Sequence, residues 1–280
     1  MTTASRGLDS QGYIAREGAL GRIQDAFRPA VAAARDQVAD VFGKRLDSAY
    51  LYGSVARGAA RVGRSDLDLL LVLRAAPTPA DRADAHAVAA AVDRDFAEID
   101  GVGILLHSRD RVLSDLETHD LGWFVACLCT PLLGEDLAEF LPRYRPDSRL
   151  ARETNGDIAL FQRRWRERAA AAAGDEAALR ALCRQVARHL VRTAFTLVMS
   201  RWRGWTSDLA EMADAFGQFY PEWAGRARAA VEVAYEPVGD AETLRELLDG
   251  LGEWLVREYA AVHGVKAPRP EDGAGRPGGA

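Results

Sequence analysis

Leu51-Tyr52-Gly53-Ser54-Val55-Ala56-Arg57-Gly58 and, shortly after it, Ser65-Asp66-Leu67-Asp68-Leu69-Leu70-Leu71-Val72-Leu73 form the stretch on which the fold turns. Ala49 to Tyr52 is short, apolar and stopped by a glycine, which predicts a strand. Gly53 and Ser54 end that strand and open a helical turn. The unbroken run Leu69 to Leu73 predicts a second strand, over Leu67–Leu73, that is covered on both faces. Asp66 and Asp68 stand two apart where it begins. Strand alternation puts their carboxylates on one face and Leu67 on the other.

Outward from this stretch, Leu20, Ile23, Phe27, Val31, Val38 and Phe42 recur at helical spacing and predict a helix from about Ile14 to Phe42. On the other side, Thr78-Pro79-Ala80-Asp81 offers an N-cap, a proline at the first helical position and an acid in the first turn. An alanine-rich helix to about Phe96 follows, and Gly101 to His107 reads as a third strand. Beyond Leu150 strand-like runs disappear. Helical patterns cover Ile158–Ala173, Glu176–Trp202, Asp208–Phe219, Glu222–Tyr235 and Ala241–Val262, the second with an apolar stripe of Leu179, Leu182, Val186, Leu190 and Leu197. The expected class is α+β: a small mixed-sheet domain over 13–149, then an all-helical bundle over 150–264. Residues 1–12, polar and small, and 265–280, rich in proline and glycine, are expected to be disordered.

Composition narrows the function classes. Lys and Arg number 36 against 41 Asp and Glu, a formal charge of -5. That balance argues against sequence-independent nucleic-acid binding, which needs a basic surface. It leaves nucleotide binding open, because a nucleotide's charge is met locally. No run approaches the ~18–20 apolar residues of a membrane span and no signal pattern opens the chain, so a cytoplasmic protein is expected. Cys127, Cys129 and Cys183 lack the partners of a zinc site and read as buried thiols.

The chemistry sits in the quoted stretch. A glycine at position 53 lets backbone approach a phosphate, and the N–H groups of a helix start favour anions. The Ser54 hydroxyl adds a donor and Arg57 a fixed positive charge. Two carboxylates on one strand face suit a hard cation such as Mg. Phosphoryl-type transfer asks a protein chiefly for positioning and charge neutralisation. Either half alone is a commonplace, a turn or a solvated strand start; together, at adjacent strand ends, they point to nucleotide chemistry.

Gly53-Ser54-x-Ala56-Arg57-Gly58 followed by Ser65-Asp66-x-Asp68-Leu69-Leu70 resembles the signature of the DNA polymerase beta-type nucleotidyltransferase superfamily. The nearest members are bacterial aminoglycoside adenylyltransferase-like and minimal nucleotidyltransferase domain proteins. The resemblance implies that Gly53, Ser54, Arg57 and Ser65 serve the triphosphate and that Asp66 and Asp68 hold Mg. It also implies a third carboxylate on the strand Gly101 to Ser108. Counting back from His107, that acid falls on Gly101. Asp100, next door, is the candidate third ligand or base, provided that a bulge or twist re-aims it, since a one-residue slip reverses the face. The implied activity is Mg-dependent transfer of NMP, AMP from ATP in the first instance, to a hydroxyl of a small-molecule acceptor, with an aminoglycoside-like one as the first analogue to test. The alternatives are a protein-AMPylating enzyme and a degenerate nucleotide-binding module without turnover. The expected partners are an NTP and a small-molecule acceptor, with neither nucleic acid nor membrane and with a homodimer allowed.

Two features of the helical half stay open. Arg180, Arg184, Arg188 and Arg192 share one helix face, either a solvated face or a charge stripe toward a triphosphate. Trp202 and Trp205, flanked by Arg201 and Arg203, are either packing residues or a platform for a ring.

Overall fold

The computed structural model describes residues 6–269. They form two compact units, one of residues 14–144 and one of residues 6–13 with 145–269. The parts of the expected loose ends at 1–5 and 270–280 lie outside the described residues.

In the first unit the elements run α1 (Arg28–Phe42), β1 (Leu46–Tyr52), α2 (Gly53–Arg57), β2 (Leu67–Leu73), α3 (Pro79–Asp95), β3 (Val102–Ser108), α4 (Arg109–Val112) and β4 (Thr130–Gly134). The sheet order is β3-β2-β1-β4, with β2 and β3 parallel and the other pairs antiparallel. This is the mixed sheet expected, with one strand more. β4 follows two π-helical turns, Thr118–Gly122 and Phe124–Leu128, and its Pro131 and flanking cysteines hide it from a propensity reading. Proline is tolerated there because β4 is an edge strand.

Alternation divides the sheet cleanly. Ala49, Leu51, Leu67, Leu69, Leu71 and Leu73 face α1 and α3, meeting Val31, Val38, Val88 and Val92. Tyr50, Tyr52, Leu70 and Val72 face Val112, Leu121, Val125 and Leu137. β2 is thus covered on both sides, as its unbroken apolar run required. α3 starts where predicted, with the Thr78 hydroxyl accepting from the Asp81 N–H and the Asp81 carboxylate accepting in return from the Thr78 N–H. α1 is shorter than expected. Between Ile14 and Phe27 the chain makes only two 3-10 turns, Leu20–Arg22 and Asp25–Phe27, and the helix begins at Arg28 with Pro29 in its first turn. Proline fits that position and no later one.

The second unit holds α5 (Ser148–Asn155), α6 (Ile158–Ala171), α7 (Glu176–Trp202), α8 (Leu209–Gly217), α9 (Ala224–Tyr235), α10 (Ala241–Leu247) and α11 (Glu253–His263). α7 is its axis, buried along Leu179, Leu182, Val186, Leu190, Ala194 and Leu197. Residues 6–13 are not loose but packed here: the Trp205 N–H donates to the Arg6 carbonyl at 2.8 Å, and the Arg6 guanidinium lies over the Trp202 ring. Residues 265–269 are held as well, through Lys266 to Asp157 at 3.1 Å and Arg269 to Glu153 at 2.9 Å. Phe195 packs edge-on against both Trp202 and Trp205, which are buried, so these indoles are core and not a platform. The arginine stripe is not one solvated face: Arg180 is exposed and pairs with Glu176, whereas Arg184, Arg188 and Arg192 are half-buried. No helix among the described residues is long and apolar enough to cross a membrane.

His189 on α7 lies between the rings of Phe161 and Trp165, at 4.7 and 4.9 Å. Its Nε2 is buried without a hydrogen-bond partner. Burial, then the nearby charges of Arg192 and Lys266, push its pKa down to about 3. The unfolded chain therefore takes up a proton near pH 6.5 that the folded chain refuses, and stability falls as pH drops from 6.5 toward 3, by up to about 1.4 kcal/mol per pH unit. Denaturant midpoints at pH 7 and pH 5 should differ less in His189→Leu than in the wild type; equal differences would mean that His189 does not control this acid lability.

Candidate active site

Strand register assembles the site. In the β1–β2 pair Tyr52 stands opposite Asp68, and in the β2–β3 pair Asp68 stands beside Gly103. Asp66 and Asp68 share parity with Leu70 and Val72, so they belong to the face that carries Tyr50 and Tyr52. On β3 that face belongs to Gly103 and Leu105, because Val102, Ile104 and Leu106 pack on the α1–α3 side. Both aspartates are half-buried at the end of a face whose remainder is apolar. That remainder stays uncharged: burial pushes the Tyr50 phenol up to about 12 and the Cys129 thiol well above its usual value. Tyr50 is also fixed, its hydroxyl accepting from the Leu137 N–H at 2.7 Å.

Glycine shapes the surroundings of the carboxylates. Gly53 has φ of 78°, and a Cβ there would come 2.6 Å from Asp68 Oδ2. The lack of a side chain at 53 thus has a cause that sequence reasoning did not supply: the Asp68 carboxylate occupies the space that a side chain would fill. A Cβ at Gly103 would lie 2.9 Å from Asp68 Oδ1, on the other oxygen. A Cβ at Gly101 would stop 3.9 Å short of Asp66 Oδ1. Gly58 closes α2 in the left-handed conformation, φ 73°, its N–H donating to the carbonyls of Ser54 and Val55.

The other predicted residues fall as follows. Ser54 is half-buried in the first turn of α2, directly after the Asp68 contact. Arg57 ends that helix and leans toward Glu17, 3.7 Å away. The Ser65 hydroxyl accepts from the Arg61 N–H at 2.9 Å while the Ser65 N–H donates to the Arg61 carbonyl at 3.0 Å. Ser65 therefore closes the loop that leads into β2. Asp100 is exposed, its N–H donates to the Ser65 carbonyl at 3.0 Å, and among the described residues no three His, Cys, Asp or Glu side chains gather into a metal-holding group. Positions 101 and 103 face the aspartates, and 100 falls out of step with them. Gly101 does take an unusual φ, 121°, but this does not bring Asp100 into a group with Asp66 and Asp68. Gly103 and Glu17 are the neighbours that sequence reasoning missed. The parity of β3 against Asp68 was signal enough for Gly103; nothing in the sequence announced Glu17.

Residues 34–99 match the family model described as nucleotidyltransferase domain. Among solved structures, the chain resembles the crystal structure of spectinomycin adenyltransferase AAD(9) from Enterococcus faecialis, which was determined with ATP and spectinomycin. The TM-score is 0.51 at 13% identity, covering 82% of this chain and 98% of that one, a likeness of fold. No curated protein matches the sequence.

Gly53→Ala should be destabilising on two counts. A left-handed backbone costs an alanine about 1–2 kcal/mol, and its methyl must displace the Asp68 carboxylate. Denaturant unfolding measures the sum; a variant as stable as the wild type would mean that Asp68 is not held against this turn.

Proposed function

With residues 34–99 forming a nucleotidyltransferase domain, we propose that this enzyme transfers a nucleoside monophosphate, AMP from ATP in the first instance, to a hydroxyl of a small-molecule acceptor in a Mg-dependent reaction. The observation that carries the reading is the pair Asp66 and Asp68: two carboxylates on one strand face, one of them seated against a glycine turn that opens a helix.

The donor set fits a divalent cation. Carboxylate oxygens are the ligands that Mg prefers, and Mg is commonly held by one or two carboxylates together with substrate phosphates and water. Asp66 and Asp68 would hold it. When bound, such a cation neutralises the charge of a triphosphate and of the departing pyrophosphate. The chain's own residues supply position and charge. Gly53 and Ser54 would receive the phosphates, the serine through its hydroxyl, and Arg57 would add positive charge at the far end of the same turn. On the same face Tyr52 packs edge-on against Phe124, their ring centroids 5.0 Å apart.

The acceptor hydroxyl is the less constrained part. Spectinomycin in AAD(9) makes an aminocyclitol the first acceptor to try. The arginine-rich composition of the helical half argues against a strongly cationic one, because pockets for polycations are acidic. A second reading, a nucleotide-binding module without turnover, draws on Gly101 and Gly103, which stand where a third acid would face the pair.

Asp66→Asn and Asp68→Asn should each lower transfer by at least a hundredfold while the protein stays folded. The assay incubates ATP or GTP and Mg with candidate alcohols, aminocyclitols first, and reads the added nucleotide by mass and the pyrophosphate released. Wild-type turnover in Asp68→Asn would remove the metal role. Mg-dependent ATP binding without pyrophosphate release from any acceptor would favour the module.

A further inference from the structure

We propose that Gly103 is a positioning residue for the Asp68 carboxylate. The proposal rests on the metal-dependent reading above and extends it to a residue of β3.

The geometry is specific. Each Asp68 oxygen looks at a different glycine: Oδ2 at Gly53, on the turn after β1, and Oδ1 at Gly103, on β3. The missing side chains would stand 2.6 and 2.9 Å from those oxygens, inside the distance that any carbon keeps. β1 and β3 are the two neighbours of β2 in the sheet. The Asp68 side chain is therefore flanked from both directions across the strands. A carboxylate with bare backbone on either side has one lateral slot, and filling either side rotates it. A ligand group held in one orientation loses less freedom on coordinating a cation than one that still has to be ordered.

Glutamate at 68 needs an additional methylene where a Cβ at either glycine would already stand inside contact distance of the carboxylate. A single methyl at 103 should act as a truncation of Asp68 would, through orientation and without touching nucleotide.

Calorimetry of ATP binding in Mn and, separately, in EDTA tests this, with thermal unfolding of each variant as the check on folding. Gly103→Ala should weaken Mn-dependent ATP binding at least tenfold and leave binding in EDTA within twofold. Asp68→Glu should behave likewise. Gly21→Ala, where an added Cβ meets nothing within 4 Å, controls for the methyl and should bind as the wild type does. Should Gly103→Ala fold poorly, the pair Asp68→Ala and Asp68→Ala/Gly103→Ala decides the matter. Once the carboxylate is gone the second methyl should leave the melting temperature unchanged, and a drop equal to that in the wild-type background would overturn the contact. Gly103→Ala binding Mn-ATP as tightly as the wild type overturns the positioning role. Wild-type binding that is indifferent to Mn would instead defeat the metal reading and remove the role with it.

Discussion

The constraint on which the site depends is steric: the Asp68 carboxylate lies where β1 and β3 must both present bare backbone. Gly53 meets that need at the end of β1 and Gly103 meets it on β3. Neither glycine could do so without the register, which sets Tyr52 against Asp68 on one side and Gly103 on the other. That register is in turn fixed by burial. A slip of one residue on β2 would send Leu67, Leu69 and Leu71 to the aspartate face and the aspartates into the packing of α1 and α3. The cost of burying unpaired carboxylates there, several kcal/mol each, makes the observed pairing the one that folding can reach. The placement of the acids and the stability of the sheet are one problem with one solution.

Much of this was legible in the sequence. The β2 strand spans Leu67–Leu73 as its sequence predicts, ending where its apolar run does, and the same-face placement of Asp66 and Asp68 follows from alternation alone. The capping box at Thr78 and Asp81 was readable because it is local chemistry. What was not legible depends on contacts between distant segments. Gly53 read as a phosphate cradle only in company with Asp66 and Asp68; the closeness of that turn to the Asp68 carboxylate needs the antiparallel pairing that no single stretch encodes. β4 escaped because its proline and short length resemble a loop, and only pairing with β1 makes it a strand. The stretch Ile14 to Phe27 has helical spacing yet winds only into 3-10 turns. Gly18 shows the reason: a Cβ there would sit 2.4 Å from the Thr130 hydroxyl oxygen and 3.0 Å from Ala56. The chain passes too close to β4 and α2 to coil.

The helical unit repeats the lesson with polar groups. The apolar stripe on α7 identified the core helix, and its length was predicted to the residue. The polar set that joins it, α5 and α11 was not. Asn155 donates to Thr196 at 2.9 Å, Tyr259 donates to the Ala151 carbonyl at 2.6 Å, and Ser148 meets His263 Nδ1 at 2.7 Å. Each partner lies on a different helix, so each bond specifies how α5, α7 and α11 pack at a cost that apolar contacts alone would not impose. Asn155 and Tyr259 carry no pattern that distinguishes them from surface residues until their partners are known. The same holds for residues 6–13 and 265–269, whose composition reads as loose and whose ordering comes from Trp205, Asp157 and Glu153.

The departure from the three-acid pattern lies in the backbone as much as in the side chains. At 103 a side chain of any size would meet Asp68 Oδ1, so that position cannot take an acid while Asp68 keeps its place. At 101 there is room beside Asp66, but φ is 121°, a conformation that side chains other than hydrogen rarely adopt. Gly101 is also tied by its carbonyl, which accepts from the Leu67 N–H at 2.9 Å. Adding a carboxylate at 101 would therefore require the strand start to rotate and that bond to be remade. Asp100 is exposed and out of step with those two positions. The face thus presents two carboxylates beside bare backbone at 101 and 103.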